Sequence, residues 1–312
     1  MDFVDFIIPH FGRTVMLEQT VQSLLQLQGQ EQISRIIVVT KNEQPLPPFN
    51  SPKVQVYYLP KAQSISEQRN FGVKQGNASW LAFIDADIHL ASNWLLVLLE
   101  LLNQKKDLVL VSAMQSAPAQ AAQTVLLRTT LSNTVLDASV AFLPGRNLLL
   151  SRDIHNLVGG FPEHLQTCED YYYTDKIAKL GKLFYTSRSQ YIHLGEDTNL
   201  RTTFFKEIWR SKSNLQALKG RKVPLREWPS IALPFWLLFA WGGVLLGFVN
   251  NKLLLPSLLL LLTPGLIYAT RLLKYRKAPL NPFFIYLFYQ VYFSARTLGT
   301  LSGLPSLFKR SQ

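Results

Sequence analysis

Residues 80–87 read WLAFIDAD, an almost wholly apolar run that ends in two carboxylates. A short apolar run of this kind is typical of a strand that is buried on both faces. Because residues i and i+2 of a strand point to the same face, we expect Asp85 and Asp87 to converge where the strand ends. Two such carboxylates repel each other, and a bound Mg²⁺ or Mn²⁺ would remove that cost.

The chain before this segment alternates strand-like and helix-like patterns. Strands are predicted at Val4–Pro9, Ile33–Thr40 and Val54–Leu59, with helices at Thr14–Gln28 and Ser66–Gln75. This order predicts an α/β domain with a Rossmann-like, mostly parallel sheet, in which ligands bind beyond the carboxyl ends of the strands. Neither a P-loop, a G-x-G-x-x-G fingerprint nor a G-x-S-x-G nucleophile elbow is present.

The acidic pair has two other interpretations. Asp85 and Asp87 fit a solvated turn, although the buried strand before them argues against one. They also fit the D-x-D of a phosphatase, but that motif would close the first strand and not the fourth.

Two later sites carry candidate chemistry. Glu169 and Asp170 precede the helix-like run Tyr171–Leu180, so they either cap that helix or hold a general base at the mouth of the site. His193 follows the strand-like run Lys182–Ile192, where it is either structural or a third metal ligand beside Asp85 and Asp87.

The charge of the chain is unevenly distributed. The 312 residues carry a net charge of +12, yet residues 1–200 hold 16 basic and 18 acidic side chains. Residues 201–312 hold 16 basic side chains and two acids. The single cysteine excludes an intrachain disulfide framework. A neutral body with a basic, apolar tail favours a membrane partner and no nucleic acid.

The tail contains two uncharged runs of membrane-spanning length, at residues 231–249 and 253–270. A third apolar segment at about 280–299 is aromatic, so it is either an interfacial helix or a third span. Basic residues flank the hairpin on both sides, which predicts a multi-pass membrane protein whose N-terminal body lies in the cytoplasm. We therefore expect a catalytic domain at 1–200, a basic connector at 201–230 and a membrane region at 231–312.

Five motifs in this order resemble the family 2 glycosyltransferases, which have the GT-A fold. The resemblance covers about residues 3–197. The matching segments are Phe6–Arg13 (FIIPHFGR), Ser66–Gly72 (SEQRNFG), Trp80–Asp87, Asn147–Phe161 with its Gly159-Gly160-Phe161, and Glu169-Asp170. His193 falls where the family has a late metal-binding histidine.

The resemblance implies a role for each candidate residue. Pro9, Phe11 and Arg13 would line the nucleotide, and Arg69 would face the donor. Asp87, with Asp85 and His193, would hold Mg²⁺ or Mn²⁺, and Asp170 would be the catalytic base beside Glu169. Two departures stand out. Thr40-Lys41-Asn42-Glu43 replaces the family's D-D-x-S, and the Q-x-x-R-W motif of processive synthases is absent.

The implied reaction is a single, inverting sugar transfer from a nucleotide-diphosphate sugar. The acceptor would be a hydroxyl of a glycan or a lipid-linked phosphate, which the basic collar Arg201–Arg226 would attract. One alternative is a nucleotidyltransferase, which would normally carry a glycine-rich basic loop after the first strand. The other is a non-catalytic membrane-anchored binding protein, which would not need acids at positions 85, 87 and 170 together.

Overall fold

The computed structural model describes residues 3–62, 64–218, 223, 225, 228–275 and 279–307. By packing, the chain divides into two compact units, one of Met1–Pro118 with Val135–Glu196 and the other of Ala119–Thr134 with Asp197–Gln312. The predicted boundaries at 200 and 230 stay a prediction. Much of the predicted basic collar after residue 218, and the basic pair at 276–277, lie outside the described residues.

The first unit is built on a nine-stranded sheet. Its strands are β1 (Val4–His10), β2 (Ile33–Thr40), β3 (Val54–Tyr58), β4 (Trp80–Ile84), β5 (Ile88–Leu90), β6 (Leu108–Ser116), β7 (Ala138–Val140), β8 (Asn147–Ser151) and β9 (Lys182–His193). The order is β3-β2-β1-β4-β8-β6-β9-β5, with β7 beside β9. The strands β3, β2, β1 and β4 are mutually parallel, whereas β8 runs antiparallel to β4 and β6. The α/β prediction is confirmed. Parallel pairing occurs among the four predicted strands and again between β6 and β9.

Helices cover both faces of this sheet, as the apolar strands predict. The helices are α1 (Thr14–Leu25), α2 (Ile65–Lys74), α3 (Trp94–Gln104), α5 (Arg152–Leu157) and α6 (Glu169–Ile177). Phe6 and Ile8 of β1 pack in the core that contains α1 and α3, while Ile7 between them packs on the opposite side with Tyr173 of α6. Each strand residue thus belongs to one of two hydrophobic layers, which is why β1 and β4 are apolar at almost every position.

The second unit is helical. Its helices are α4 (Gln123–Ser132), α7 (Leu200–Ser211), α8 (Trp228–Gly247), α9 (Asn251–Leu273) and α10 (Pro282–Gly303). Its core is centred on α10, where Ile285, Phe288 and Phe293 pack against Leu127 of α4 and Leu237 of α8. The predicted third apolar segment therefore contributes a buried face to this unit.

Two helices of the described residues, α8 and α9, are long and apolar enough to cross a membrane. Only 22% of each apolar window is buried, and large side chains such as Phe239 and Leu266 are exposed. Asn250 begins α9 by accepting a hydrogen bond from the amide of Lys252, so the connection between the helices is as short as the sequence predicts.

Candidate active site

The two acids of the D-x-D segment lie in the turn between β4 and β5. The amide of Asp85 donates to the carbonyl of Arg146, 3.0 Å away, and the carbonyl of Asp87 accepts from the amide of Leu194 at 2.8 Å. The expected strand alternation does not apply here, because β4 ends at Ile84. The two carboxylates have different partners instead of one shared position.

Arg69 is the buried centre of the site. The side chain is 1% exposed, and its two terminal nitrogens donate to Asp85 Oδ1 at 2.8 Å and to Glu169 Oε1 at 3.0 Å. Its guanidinium also lies 4.8 Å from the centre of the Phe161 ring. Ser64 caps α2 through the amide of Glu67 and so fixes the helix that carries Arg69. One guanidinium thereby connects the acidic turn to the start of α6.

Asp87 lies between two basic groups. Its Oδ2 accepts from Arg13 Nη1 at 2.8 Å, and its Oδ1 is 3.3 Å from His193 Nε2. A Cβ atom at Gly195 would collide with the ends of the Asp87 and Arg13 side chains, so a larger residue there would displace both of them. Burial opposes ionisation of Asp87, but the hydrogen bond and charge of His193, together with Arg13, outweigh it and lower the pKa of Asp87.

His193 is oriented by a residue that the sequence analysis missed. Its Nδ1 is 3.0 Å from Oε2 of Glu196, a carboxylate that also accepts from Gln115 and lies 3.6 Å from Arg146. Burial would lower the pKa of His193, but the hydrogen bonds with Asp87 and Glu196 raise it. A carboxylate behind a histidine is the arrangement that fixes a metal-binding imidazole. The spacing H-x-x-E was the available sequence signal; Gln115 and Arg146 had none.

Glu169 and Asp170 start α6 and face different groups. Cys168 precedes them with a left-handed backbone (φ 64°) and makes no side-chain cap. Asp170 accepts from the amide of Gly145 at 3.1 Å, and Gly145 in turn offers its carbonyl to Arg69 at 3.4 Å. Burial and the neighbouring charge of Asp170 raise the pKa of Glu169 to about 7, against the opposing effect of Arg69.

The predicted nucleotide-binding loop follows β1. Pro9 is buried within the strand, whereas Phe11 is 72% exposed and lies 5.8 Å from the Lys41 ammonium. The amide of Gly12 donates to Asn42 Oδ1 at 2.8 Å. Asn42 belongs to the segment that replaces the acidic motif of the family, and here it ties the end of β2 to the loop.

The charges of the site are unbalanced. Its acids are Asp85, Asp87, Glu169, Asp170 and Glu196, and its guanidinium groups are Arg13, Arg69 and Arg146. With all five carboxylates ionised and His193 neutral, the three guanidiniums leave two excess negative charges. The raised pKa of Glu169 makes this excess smaller near pH 7. Burial, opposed by Arg69 and assisted by the charge of Asp87, raises the pKa of Asp85. A divalent cation would balance this excess.

The residues fit a hard divalent cation in part. Among the described residues, no group of three His, Cys, Asp or Glu side chains forms a ready-made metal site. Asp87 and His193 do lie together, and Asp85 lies two residues from Asp87 with its side chain a quarter exposed. The donor set, two carboxylates and an imidazole, suits Mg²⁺ or Mn²⁺.

Comparison with known proteins defines the class. The fold is similar to that of the mannosyltransferase PcManGT from Pyrobaculum calidifontis, solved in complex with GDP-Man and Mn²⁺, with a TM-score of 0.62 at 12% identity. This match covers 96% of the present chain and 86% of that chain. GalNAc-T7, solved with UDP, GalNAc and Mn²⁺, matches with a TM-score of 0.50 at 14% identity, over 74% of this chain and 53% of that one. The fold is that of the GT-A glycosyltransferases.

The sequence itself gives the family. Residues 5–159 match the profile of Glycosyl transferase family 2. The N-terminal domain of this chain therefore belongs to that family, and the protein is a glycosyltransferase. No curated protein sequence matches the chain. The family match favours the transferase over the nucleotidyltransferase and the non-catalytic binding protein.

Proposed function

We propose that this protein is an inverting, metal-dependent glycosyltransferase that works at the cytosolic face of a membrane. It moves one sugar, a hexose in the simplest case, from a nucleotide-diphosphate sugar to a hydroxyl or lipid-phosphate acceptor during glycan or glycolipid synthesis. The observation that carries the proposal is the double ion pair of Arg69, which joins the acidic turn at Asp85 to Glu169, next to Asp170. One buried arginine therefore joins Asp85, which would assist in holding the cation, to Glu169, the sequence neighbour of the proposed base.

The donor side of the site is assigned to the turn and the loop after β1. Asp87 and His193, assisted by Asp85, would hold the cation, and Phe11 and Arg13 would contact the nucleotide. Pro9 is buried in β1, so its part is to support this loop from behind. A bound Mg²⁺ or Mn²⁺ would offset the charge that develops on the departing diphosphate. Arg13 is half exposed beside Asp87 and has donors available for a phosphate oxygen.

The acceptor side is assigned to the start of α6. Asp170 takes the proton of an acceptor hydroxyl while the oxygen attacks the anomeric carbon from the face opposite the diphosphate, so that one displacement inverts the configuration. Glu169 is assigned a positioning role. Its ion pair with Arg69 fixes the start of the helix that carries Asp170.

Membrane attachment is proposed from the second unit. Two apolar helices, α8 and α9, expose most of their side chains, and the described end of α9 carries the exposed bases Arg271 and Lys274. The positive-inside rule then assigns this end, and the catalytic domain, to the cytoplasm in a multi-pass arrangement. This location is what supports a lipid-linked acceptor as one of the two proposed acceptor classes.

The proposal is tested with full-length protein in detergent, Mn²⁺ and a panel of radiolabelled nucleotide sugars. Asp170→Asn should reduce turnover by a factor of about 10² to 10⁴, the usual contribution of a general base, while donor binding persists. Asp175→Asn is the matched control, because Asp175 is on the same helix but pairs with Lys179 at the surface. Unchanged turnover in Asp170→Asn would exclude Asp170 as the base.

The same reaction mixtures identify the acceptor class. Membrane lipids and water-soluble glycans from the source cells are added together, and the products are separated by organic extraction. Label in the organic phase supports a lipid-linked acceptor, whereas label confined to the aqueous phase refutes it and leaves a soluble glycan.

A further inference from the structure

Helix α7 buries polar side chains and exposes two large aromatic ones, while its other apolar residues, Leu200, Phe204 and Ile208, are half-buried. Its buried residues are polar, namely Thr203, Glu207 and Ser211. Its exposed stripe contains Phe205 and Trp209, which are 60% and 56% exposed. The usual pattern places the apolar stripe inward and the polar stripe in water, so this helix requires a partner for its aromatic face.

The inner face is explained by the helix it packs on. Cβ atoms at Gly299 and Gly303 of α10 would collide with the α7 backbone at Ile208 and at Lys212. Glycines four residues apart are the spacing that permits such close helix contacts in membranes. Glu207 of α7 is bonded to Arg296 of α10 at 3.1 Å. The polar face of α7 is therefore satisfied by α10, and its orientation is fixed.

The outer face combines aromatic and basic side chains. Phe205 and Trp209 are four residues apart, so their rings lie on one face of the helix. Arg201, one turn before Phe205, and Lys212, just after the helix end, are both exposed. Large aromatic side chains between basic ones are typical of helices that lie in the membrane interface.

The charge around α7 complements an acidic surface. The buried carboxylates Asp197 and Glu207 are met by the basic side chains of Arg128, Lys206, Arg210 and Arg296, each of them partly exposed. The cluster has two more bases than acids. The same unit carries α8 and α9, whose exposed apolar surface has the composition of a membrane span.

We propose that α7 is a membrane-interface helix. Phe205 and Trp209 lie at the boundary between headgroups and acyl chains, and Arg201 and Lys212 contact the phosphates of acidic phospholipids. This inference rests on the proposed membrane attachment of the protein and adds a second point of contact to its two apolar helices. An acidic protein partner would instead be expected to cover the bases and leave the aromatic pair without an apolar environment.

The test uses full-length protein without its native thiol, Cys168→Ser, in vesicles of phosphatidylcholine and phosphatidylglycerol. Single cysteines are introduced as Phe205→Cys and Trp209→Cys and labelled with a polarity-sensitive fluorophore. Phe239→Cys on α8 is the reference for a lipid-exposed site, and Leu157→Cys on α5 is the reference for a water-exposed site. Both native side chains are more than 70% exposed, so the substitutions spare the core.

The labels at 205 and 209 should show blue-shifted emission and protection from iodide, as at 239, while the label at 157 is quenched. Quenching at 205 and 209 with protection at 239 would overturn the interface helix and leave the membrane attachment intact. Quenching at 239 as well would overturn both. Equal protection at 205 and 209 in pure phosphatidylcholine vesicles would overturn the assigned contact with acidic headgroups.

Discussion

Both units of the chain bury charged side chains, but they balance them in opposite ways. In the first unit, the carboxylates around Arg69 and His193 outnumber the guanidinium groups by five to three. In the second unit, Asp197 and Glu207 are outnumbered by four basic side chains. In our proposal the first cluster receives a cation, whereas the carboxylates of the second cluster are neutralised by basic side chains of their own unit.

The pKa shifts of the two aspartates express this difference. Burial raises the pKa of Asp85 against the opposing charge of Arg69. Burial also disfavours ionisation of Asp197, but Arg210, Lys206 and Arg128 outweigh it and lower the pKa of that group. The ionised form of Asp85 therefore costs folding stability, whereas that of Asp197 contributes to it. The difference therefore distinguishes the cluster around Arg69, which we propose binds the donor, from the cluster around Asp197 and Glu207, which stabilises helix packing.

The largest effect on stability is expected for Arg69→Met. The change leaves Asp85 and Glu169 without their buried cation, which should lower the free energy of unfolding by about 3–5 kcal/mol. Hydrogen exchange of the β1 and β4 amides in detergent would measure it. Arg188→Met removes a surface ion pair with Glu100 and should cost less than about 1 kcal/mol. If Arg69→Met lowers the free energy of unfolding by no more than this control does, Arg69 is not the buried cation that stabilises Asp85 and Glu169.

A buried base in the first unit predicts an acid sensitivity. Burial, with the charge of Arg152, lowers the pKa of His155 to about 4, and its Nδ1 lies 2.8 Å from the Tyr173 hydroxyl. The unfolded chain then binds the proton first, so stability is complete above pH about 6.5 and falls toward pH 4 by about 3 kcal/mol. Subtracting the unfolding free energy of His155→Gln from that of wild type at each pH leaves the contribution of His155, because the other titrating groups are common to both proteins. A difference in unfolding free energy that does not change over this range would contradict it.

The two aspartates provide a direct contrast. Asp197→Asn should lower the unfolding free energy by about 2 kcal/mol, because three bases lose their buried carboxylate and are themselves partly hydrated. The stability from Asp197 is present above pH about 3.8 and is lost as the pH falls through its lower native pKa. Asp85→Asn should cost less than Asp197→Asn, because burial already disfavours the ionised form of Asp85 and Arg69 keeps its ion pair with Glu169. Chemical denaturation measures the unfolding free energy of both variants. Equal losses of unfolding free energy would show that the two clusters do not differ in this way.

The smallest effect concerns the glycine behind Asp87. A Cβ in Gly195→Ala would displace Asp87 and Arg13, so Mn²⁺-dependent binding of a nucleoside diphosphate should weaken about tenfold, or about 1.4 kcal/mol. Gly242→Ala on α8 is the control, since a Cβ there meets nothing within 4 Å. Calorimetric titration of both variants measures the effect. Equal affinity in the two would show that the tight approach of Gly195 does not shape the site.

Local patterns were sufficient for much of the first unit. The apolar runs at β1, β2, β3 and β4 predicted strands within one residue of their bounds. In β1, β2 and β4 this is because strands buried on both faces allow few polar positions, whereas β3 is only half-buried and was recognisable from its β-branched and aromatic residues. The candidate residues Arg69, Asp85 and Glu169 were each singled out from a short motif, and the structure brings them into contact. Their pairing was not predictable, because Arg69 and Glu169 are 100 residues apart.

Other features depended on distant partners that local patterns do not reveal. The strand alternation assumed for Asp85 and Asp87 fails because the chain turns at Asp85. There the Asp85 amide donates a hydrogen bond to the carbonyl of Arg146, which lies in a later loop. The polar inner face of α7 depends on Gly299 and Arg296 in a helix almost 90 residues later. The helical spacing of apolar residues would by itself place Phe205 and Trp209 in the protein core. This spacing shows which residues share a face of the helix, but not whether that face contacts protein or lipid.

We propose that the acidic turn holds a divalent cation together with a nucleoside diphosphate, and everything assigned to the donor side depends on this. Electron paramagnetic resonance of free Mn²⁺, titrated with full-length protein in the presence of GDP or UDP, measures this directly. We expect wild type and Asp175→Asn to deplete the free Mn²⁺ signal with at least one nucleotide, and Asp87→Asn not to deplete it. Equal depletion by Asp87→Asn and wild type would show that Asp87 does not hold the cation.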